Sequence, residues 1–249
     1  MCGERLCGPY CHRCGQPSRA APRPLREVLS GSTGRLAHTL RIIVTAPGEL
    51  AREVDEARNQ RSLRPLTLVF HLAALFFLVS TFTGFGIDAV RSSDTAGGLA
   101  ALIAERRDAA AVPAELYMER LERRFQTLYT LLVPAIALGY GGLIGLLHWR
   151  RKPWSVALVG GIQYLCFVYL WLGLLLATAR AAGVNPYAFR PVQVVGTLVG
   201  LAYATLTIRR MYDERWLHVA WKGALVVLGG AALHNLLLIL ALLAALATV

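Results

Sequence analysis

Five stretches of this 249-residue chain are long and apolar enough to cross a bilayer, and no other feature restricts its fold so strongly. They run over 66–87, 128–149, 154–179, 192–208 and 220–249. A spanning helix needs about 20 mainly apolar residues. None of the five carries Asp, Glu, Lys or Arg in its central part. Charged residues make up 16% of the chain, against about 25% in an ordinary soluble domain. That composition argues against a plain soluble enzyme. The expected fold is an all-α integral membrane protein of five transmembrane helices, with a small N-terminal cysteine-bearing head and short interfacial helices. Pro134 falls inside the second span, where neighbouring helices can satisfy the carbonyl it frees.

The Lys and Arg residues between the spans predict an orientation. Residues 1–65 carry 11, residues 150–153 carry 3 and residues 209–222 carry 4, making 18 on one side of the membrane. The segments on the other side, 88–127 and 180–191, carry 8. The N-terminus is therefore expected in the cytoplasm and the C-terminus outside. Trp149, Trp154, Trp216 and Trp221 flank the inner boundary as an interfacial belt would. The net charge of +11 thus belongs to the inner membrane face, and a nucleic-acid partner is not expected. Residues 1–30 hold no apolar run of signal-peptide length, so the first span is expected to direct insertion itself.

Four of the five cysteines lie in the head, residues 1–16: Cys2, Cys7, Cys11 and Cys14. Cys11-His12-Arg13-Cys14-Gly15 has the form of a zinc knuckle, with two thiolates on a tight turn and a Gly that tolerates the bend. A closed structural zinc site takes four ligands, which these cysteines could supply, with His12 as a substitute. A reducing compartment favours metal over disulfide. So short a segment has no core to bury, and metal would have to order it. The competing readings are a metal-free remnant of a knuckle and, less well supported, a redox pair, for which no surrounding βαβ pattern exists. Residues 17–65 form a Pro-rich linker followed by amphipathic segments, 25–29, 34–45 and 49–60, broken at Pro47-Gly48. Leu36, Leu40, Ile43 and Val44 share one helical face. Arg58, Arg61 and Arg64 close the region as a basic patch suited to an anionic inner leaflet. Plain positive-inside anchoring explains the same arginines.

The run Gly8-Pro9-Tyr10-Cys11-His12-Arg13-Cys14-Gly15-Gln16 resembles the head of the bacterial membrane-protein family termed "domain of unknown function 3667". Gly34-Arg35-Leu36, Thr39-Leu40, Pro47-Gly48, Arg52-Glu53, Arg58, Arg61, Pro65 and Phe76-Phe77 extend the resemblance through the first span. Arg209-Arg210-Met211-Tyr212 and Trp216 carry it to the last. It implies a bacterial inner-membrane protein with a zinc-knuckle-like head, and no particular activity. The chain departs from that family where a cysteine would precede Cys2, a place Cys7 could fill. It also departs at Gln163 and Leu165, which stand where the family has a His-x-His pair.

Polar residues inside spans are functional candidates by default. Here they are Gln163 and Tyr164 in the third span and His234 and Asn235 in the last, with a shallower His71 in the first. Without a carboxylate in any span, interhelical hydrogen bonding is the favoured role for His234 and Asn235. Gly141/Gly145 and Gly196/Gly200 are expected to allow close helix approach. Residues 88–127 read as an outer helical cap, with helices over 97–111 and 114–126, the second running into the second span. There is no nucleophile elbow, phosphate loop or His-Glu-x-x-His metal helix. The leading expectation is a non-enzymatic scaffold or regulatory protein whose cytoplasmic zinc knuckle binds a protein partner. The alternative is a small-molecule transporter or channel with a polar site between the third and last spans. The expected partners are the bilayer, a cytoplasmic protein and a second copy of the chain.

Overall fold

The computed structural model describes residues 25–56, 67–71, 73, 74, 97–110, 112–183 and 190–249, all helical or in the turns between helices. The helices are α1 (Leu25–Thr45), α2 (Glu49–Asp55), α3 (Gly97–Ala109), α4 (Ala114–Leu147), α5 (Trp154–Ala181), α6 (Arg190–Tyr212) and α7 (Trp216–Thr248), with a further helical piece at 67–71, 73 and 74. Three of them, α4, α5 and α7, are long and apolar enough to cross a bilayer, as in a multi-pass membrane protein. The expected fourth span lies within α6. Most of the expected first span, and with it Phe76-Phe77, lies outside the described residues, as do Cys2, Cys7, Cys11, Cys14, Arg58, Arg61 and Arg64.

The four long helices form a ring in which α4 packs on α5 and α7, and α6 on the same two. Short turns join α4 to α5 and α6 to α7, so both turns lie at one end, called here the basic end for its arginines and lysines. α4 buries one stripe at helical spacing, Tyr117, Leu121, Phe125, Tyr129, Val133, Ala137, Tyr140 and Ile144. It runs 34 residues without a break. At 1.5 Å per residue that is about 51 Å, well beyond a hydrocarbon core of about 30 Å. The helix expected over 114–126 is therefore the first part of α4, and Pro134 sits inside it without ending it.

The polarity of this bundle suits lipid. Leu131, Leu146, Leu174, Leu198 and Leu228 face outward, while Tyr129, Tyr140, Tyr164, Tyr169, Tyr203 and Gln163 are buried. Water would penalise such an apolar exterior; acyl chains do not.

Backbone contact between α4 and α5 depends on glycine. A Cβ on Gly161 would collide with the backbone of Gly141, and one on Gly141 would come 2.6 Å from Leu158 Cα. The Gly141/Gly145 pair thus allows the close approach expected of it, with α5 as the partner. Gly196 and Gly200 meet only side chains, Leu175 at 3.9 Å and the Tyr164 hydroxyl at 3.3 Å.

The segments expected as surface-lying amphipathic helices have a different disposition. α1 is continuous through Gly31 and Gly34, stops before Pro47-Gly48, and α2 returns beside it as a short hairpin. The hairpin packs on α5 and α6. Its buried stripe is Thr39, Ile42, Ile43, Leu50 and Ala51, whereas Val44, expected on the apolar face, is 58% exposed.

Candidate functional site

Three polar centres stand inside or at the end of the bundle, each built from different helices. The first is the seat of the hairpin turn. A helix end leaves backbone carbonyls without partners, and a helix start leaves amides without them. At the α1–α2 turn both kinds meet one side chain, Gln163 of α5. Its Nε2 donates to the Ala46 carbonyl at 3.1 Å, and its Oε1 accepts from the Leu50 amide at 3.2 Å. The same Nε2 donates to the Tyr203 hydroxyl of α6 at 3.2 Å, and that hydroxyl donates to the Ile43 carbonyl at 2.6 Å. An amide in this orientation satisfies both an acceptor and a donor of the turn. Gln163 is fully buried, and Phe167 stacks on the Tyr203 ring at 3.7 Å. Gly48 completes the seat. Its φ of +79° lies in the left-handed region, and a Cβ there would come 2.6 Å from the Thr207 carbonyl.

The second centre closes the basic end. His148, just past the end of α4, donates from Nδ1 to the Ile144 carbonyl at 3.0 Å, which leaves Nε2 as an acceptor. Lys222 of α7 donates to that nitrogen at 3.1 Å and to both carboxylate oxygens of Glu214 at 2.8 and 2.7 Å. Arg151, from the α4–α5 turn, reaches Glu214 at 2.7 Å. Tyr212 lies flat on the His148 ring, centroids 3.9 Å apart. Asp213, at φ +50°, turns the chain sharply between Tyr212 and Glu214. The cluster ties the two inter-helix turns together. Burial lowers the His148 pKa, and the nearby Lys222 charge adds to that, against the bond to Ile144 and the Glu214 charge. Burial would raise the Glu214 carboxyl, but the Lys222 hydrogen bond and charge, with His148 and Arg151, hold it below its ordinary value. At neutral pH the centre is a carboxylate between two cations, capped by a neutral imidazole.

The third centre is aromatic. His234 Nε2 of α7 pairs with the Tyr129 hydroxyl of α4 at 2.6 Å, and Tyr169 of α5 also pairs with Tyr129. Tyr164 packs on Tyr140, centroids 4.9 Å apart, and borders a lateral cleft of about 430 Å³ between α5, α6 and α7. The cleft exists because α6 leans away at its start. Val194, Val195 and Leu198 are exposed, while Tyr203, Ala204, Ile208 and Met211 are buried.

The intramembrane residues singled out from sequence therefore do not share one site. Gln163 holds the hairpin, Tyr164 walls the cleft, His234 bonds Tyr129, and Asn235 is exposed on α7. Among the described residues, His71 donates locally from Nδ1 to the Thr67 carbonyl at 2.7 Å. Sequence reasoning passed over the His148–Glu214–Lys222 cluster; Glu214, an acid inside a basic loop, was its one visible signal. Among the described residues, no three His, Cys, Asp or Glu side chains gather as a metal site. In comparisons with known proteins, no family model, curated protein or solved structure matches the chain.

Proposed function

We propose that this protein is a non-enzymatic scaffold or regulatory protein of a bacterial inner membrane, with a cytoplasmic zinc knuckle that binds a protein partner. The observation that carries the reading is the seating of the hairpin turn. The α1 helix that follows the cysteine head ends in a turn held by Gln163 and Tyr203 from two different helices. The end of α1, the helix that follows the head in sequence, is thereby fixed to the bundle, which is what a docking platform requires. Cys2, Cys7, Cys11 and Cys14 would be the zinc ligands, the cysteine spacing and the family resemblance of the head supporting that assignment. The full arrangement is five spans with the basic end in the cytoplasm, supported by the loop charges and by Trp149, Trp154, Trp216 and Trp221 near that end.

Zinc per chain, measured on detergent-purified protein beside a Cys11→Ser/Cys14→Ser variant, tests the reading. About one zinc per chain, lost in the variant, is the expected result; no zinc in either protein overturns it.

One observation favours a second reading, a small-molecule transporter or channel. The cleft bordered by Tyr164 joins the third, fourth and last expected spans, and Gln193 and Thr197 add polar groups to its wall. A cysteine at Thr197 that a membrane-impermeant thiol reagent labels from either side of the membrane would support it. Labelling from one side only would count against it.

A further inference from the structure

At the basic end a second cleft, of about 720 Å³, opens between the hairpin and the last turns of α6. Arg52, Lys152, Arg209 and Arg210 contribute the cations of its wall, and Glu56 and Asp213 the carboxylates. Two of the cations are already engaged. Lys152 meets Asp55 at 2.6 Å, and Arg52 meets Glu56 at 3.2 Å and Glu49 at 3.8 Å. Arg209 and Arg210 differ: among the described residues neither has a carboxylate within ion-pair distance. The Arg209 guanidinium lies over the Trp216 ring, 3.9 Å from its centroid, and both arginines are exposed.

The surroundings of these two arginines point to the ligand. Trp216 is 51% exposed, and Trp149, Trp154 and Trp221 are exposed at the same end, the level a headgroup region occupies. One helical turn deeper in the cleft stands Leu206, also exposed, with Pro47 across from it on the hairpin. An anion binder for soluble ligands has no use for that apolar floor; an amphiphile fills both levels. Arginine forks match the oxygens of a phosphate better than point charges do.

We infer that the cleft between the hairpin and the end of α6 is a binding site for an anionic phospholipid, its phosphate on Arg209 and Arg210 and an acyl chain along Leu206. The site is independent of the zinc assignment. It uses the hairpin as one wall, so lipid occupancy and hairpin seating support each other.

The test is native mass spectrometry of the full chain in detergent, titrated with phosphatidylglycerol and separately with phosphatidylcholine. One phosphatidylglycerol should bind at least about fivefold more tightly than phosphatidylcholine. Arg209→Gln/Arg210→Gln should remove that preference. Arg150→Gln/Arg215→Gln, which deletes two cations of the same end outside the cleft, should leave it within about twofold. An equal loss in both double variants would reduce the site to diffuse attraction and overturn the proposal. Arg209→Lys/Arg210→Lys keeps the charge but loses the fork and, folded by melting temperature, should retain only part of the preference; full retention would overturn the guanidinium–phosphate contact. Inorganic phosphate at millimolar concentration should not displace the lipid. Displacement would assign the arginines to a soluble phosphate instead and overturn the lipid.

Discussion

Gln163 is the residue on which the hairpin turn depends, and its loss has a definite expected cost. Gln163→Leu removes the partner of the buried Leu50 amide, while the Ala46 carbonyl keeps its bond from the Glu49 amide at 3.1 Å. One unsatisfied buried amide costs about 1–3 kcal/mol. The bundle does not need those bonds, so the expected outcome is early protease cleavage within 49–55 while the long helices stay protected. Gln163→Glu, which keeps the acceptor and loses the donor, should fall between. Glu214 and His148 set a pH dependence of the same sign. Both fold with pKa values below their ordinary ones, so each takes up a proton more readily unfolded. Their contribution is complete above the ordinary values and is lost as the pH falls. From about pH 7.5 to about pH 5.5 the loss comes from His148, a buried ring whose charge would face Lys222 and Arg151, partly offset by Glu214 at 3.4 Å. Melting temperature should fall over that range, and His148→Gln should flatten the fall. A profile identical in the variant would show that His148 does not titrate in this window.

At the scale of helices, glycine positions divide sharply. Gly48→Ala forces a side chain into a left-handed backbone and against the Thr207 carbonyl, and should cost about 1–3 kcal/mol. Gly161→Ala would separate α5 from α4 at their closest point, whereas Gly142, one residue from Gly141, has open space and should accept Ala freely. Comparing melting temperatures of these variants checks the α4–α5 packing directly; equal tolerance of Gly161→Ala and Gly142→Ala would refute it. The two Gly-x-x-x-Gly pairs looked alike in sequence, and only the tertiary arrangement distinguishes them. Gly141 faces another glycine across the interface, while Gly196 and Gly200 meet only the side chains of Leu175 and Tyr164. Similarly, the amphipathic pattern of 34–45 was legible, but its buried face was read one position off. Thr39 and Ile42 are inside and Val44 is outside, because the hairpin packs on helices rather than on a flat surface.

At the scale of the whole molecule, the loop charges predict a testable topology. A reporter active only outside the cell should work when fused at Val249 and fail at Met1; the reverse would overturn the charge argument. Length and apolarity of α4, α5 and α7 were written in the sequence, because a bilayer-crossing helix satisfies its own backbone and needs no distant partner to be recognised. The helical character of α1, α2 and α6 was legible for the same local reason. The sites were not. Leu50 and Gln163 are 113 residues apart, Tyr129 and His234 are 105 apart, and His148 and Lys222 are 74 apart. No periodicity links such positions. The sequence by itself determined that α4, α5 and α7 are helices able to lie in lipid, since that depends on neighbours three or four residues away. Only the tertiary structure decided that Gln163 serves a hairpin turn, that Glu214 is held between two cations, and that Arg209 and Arg210 have no carboxylate partner among the described residues, since those depend on which helix ends meet.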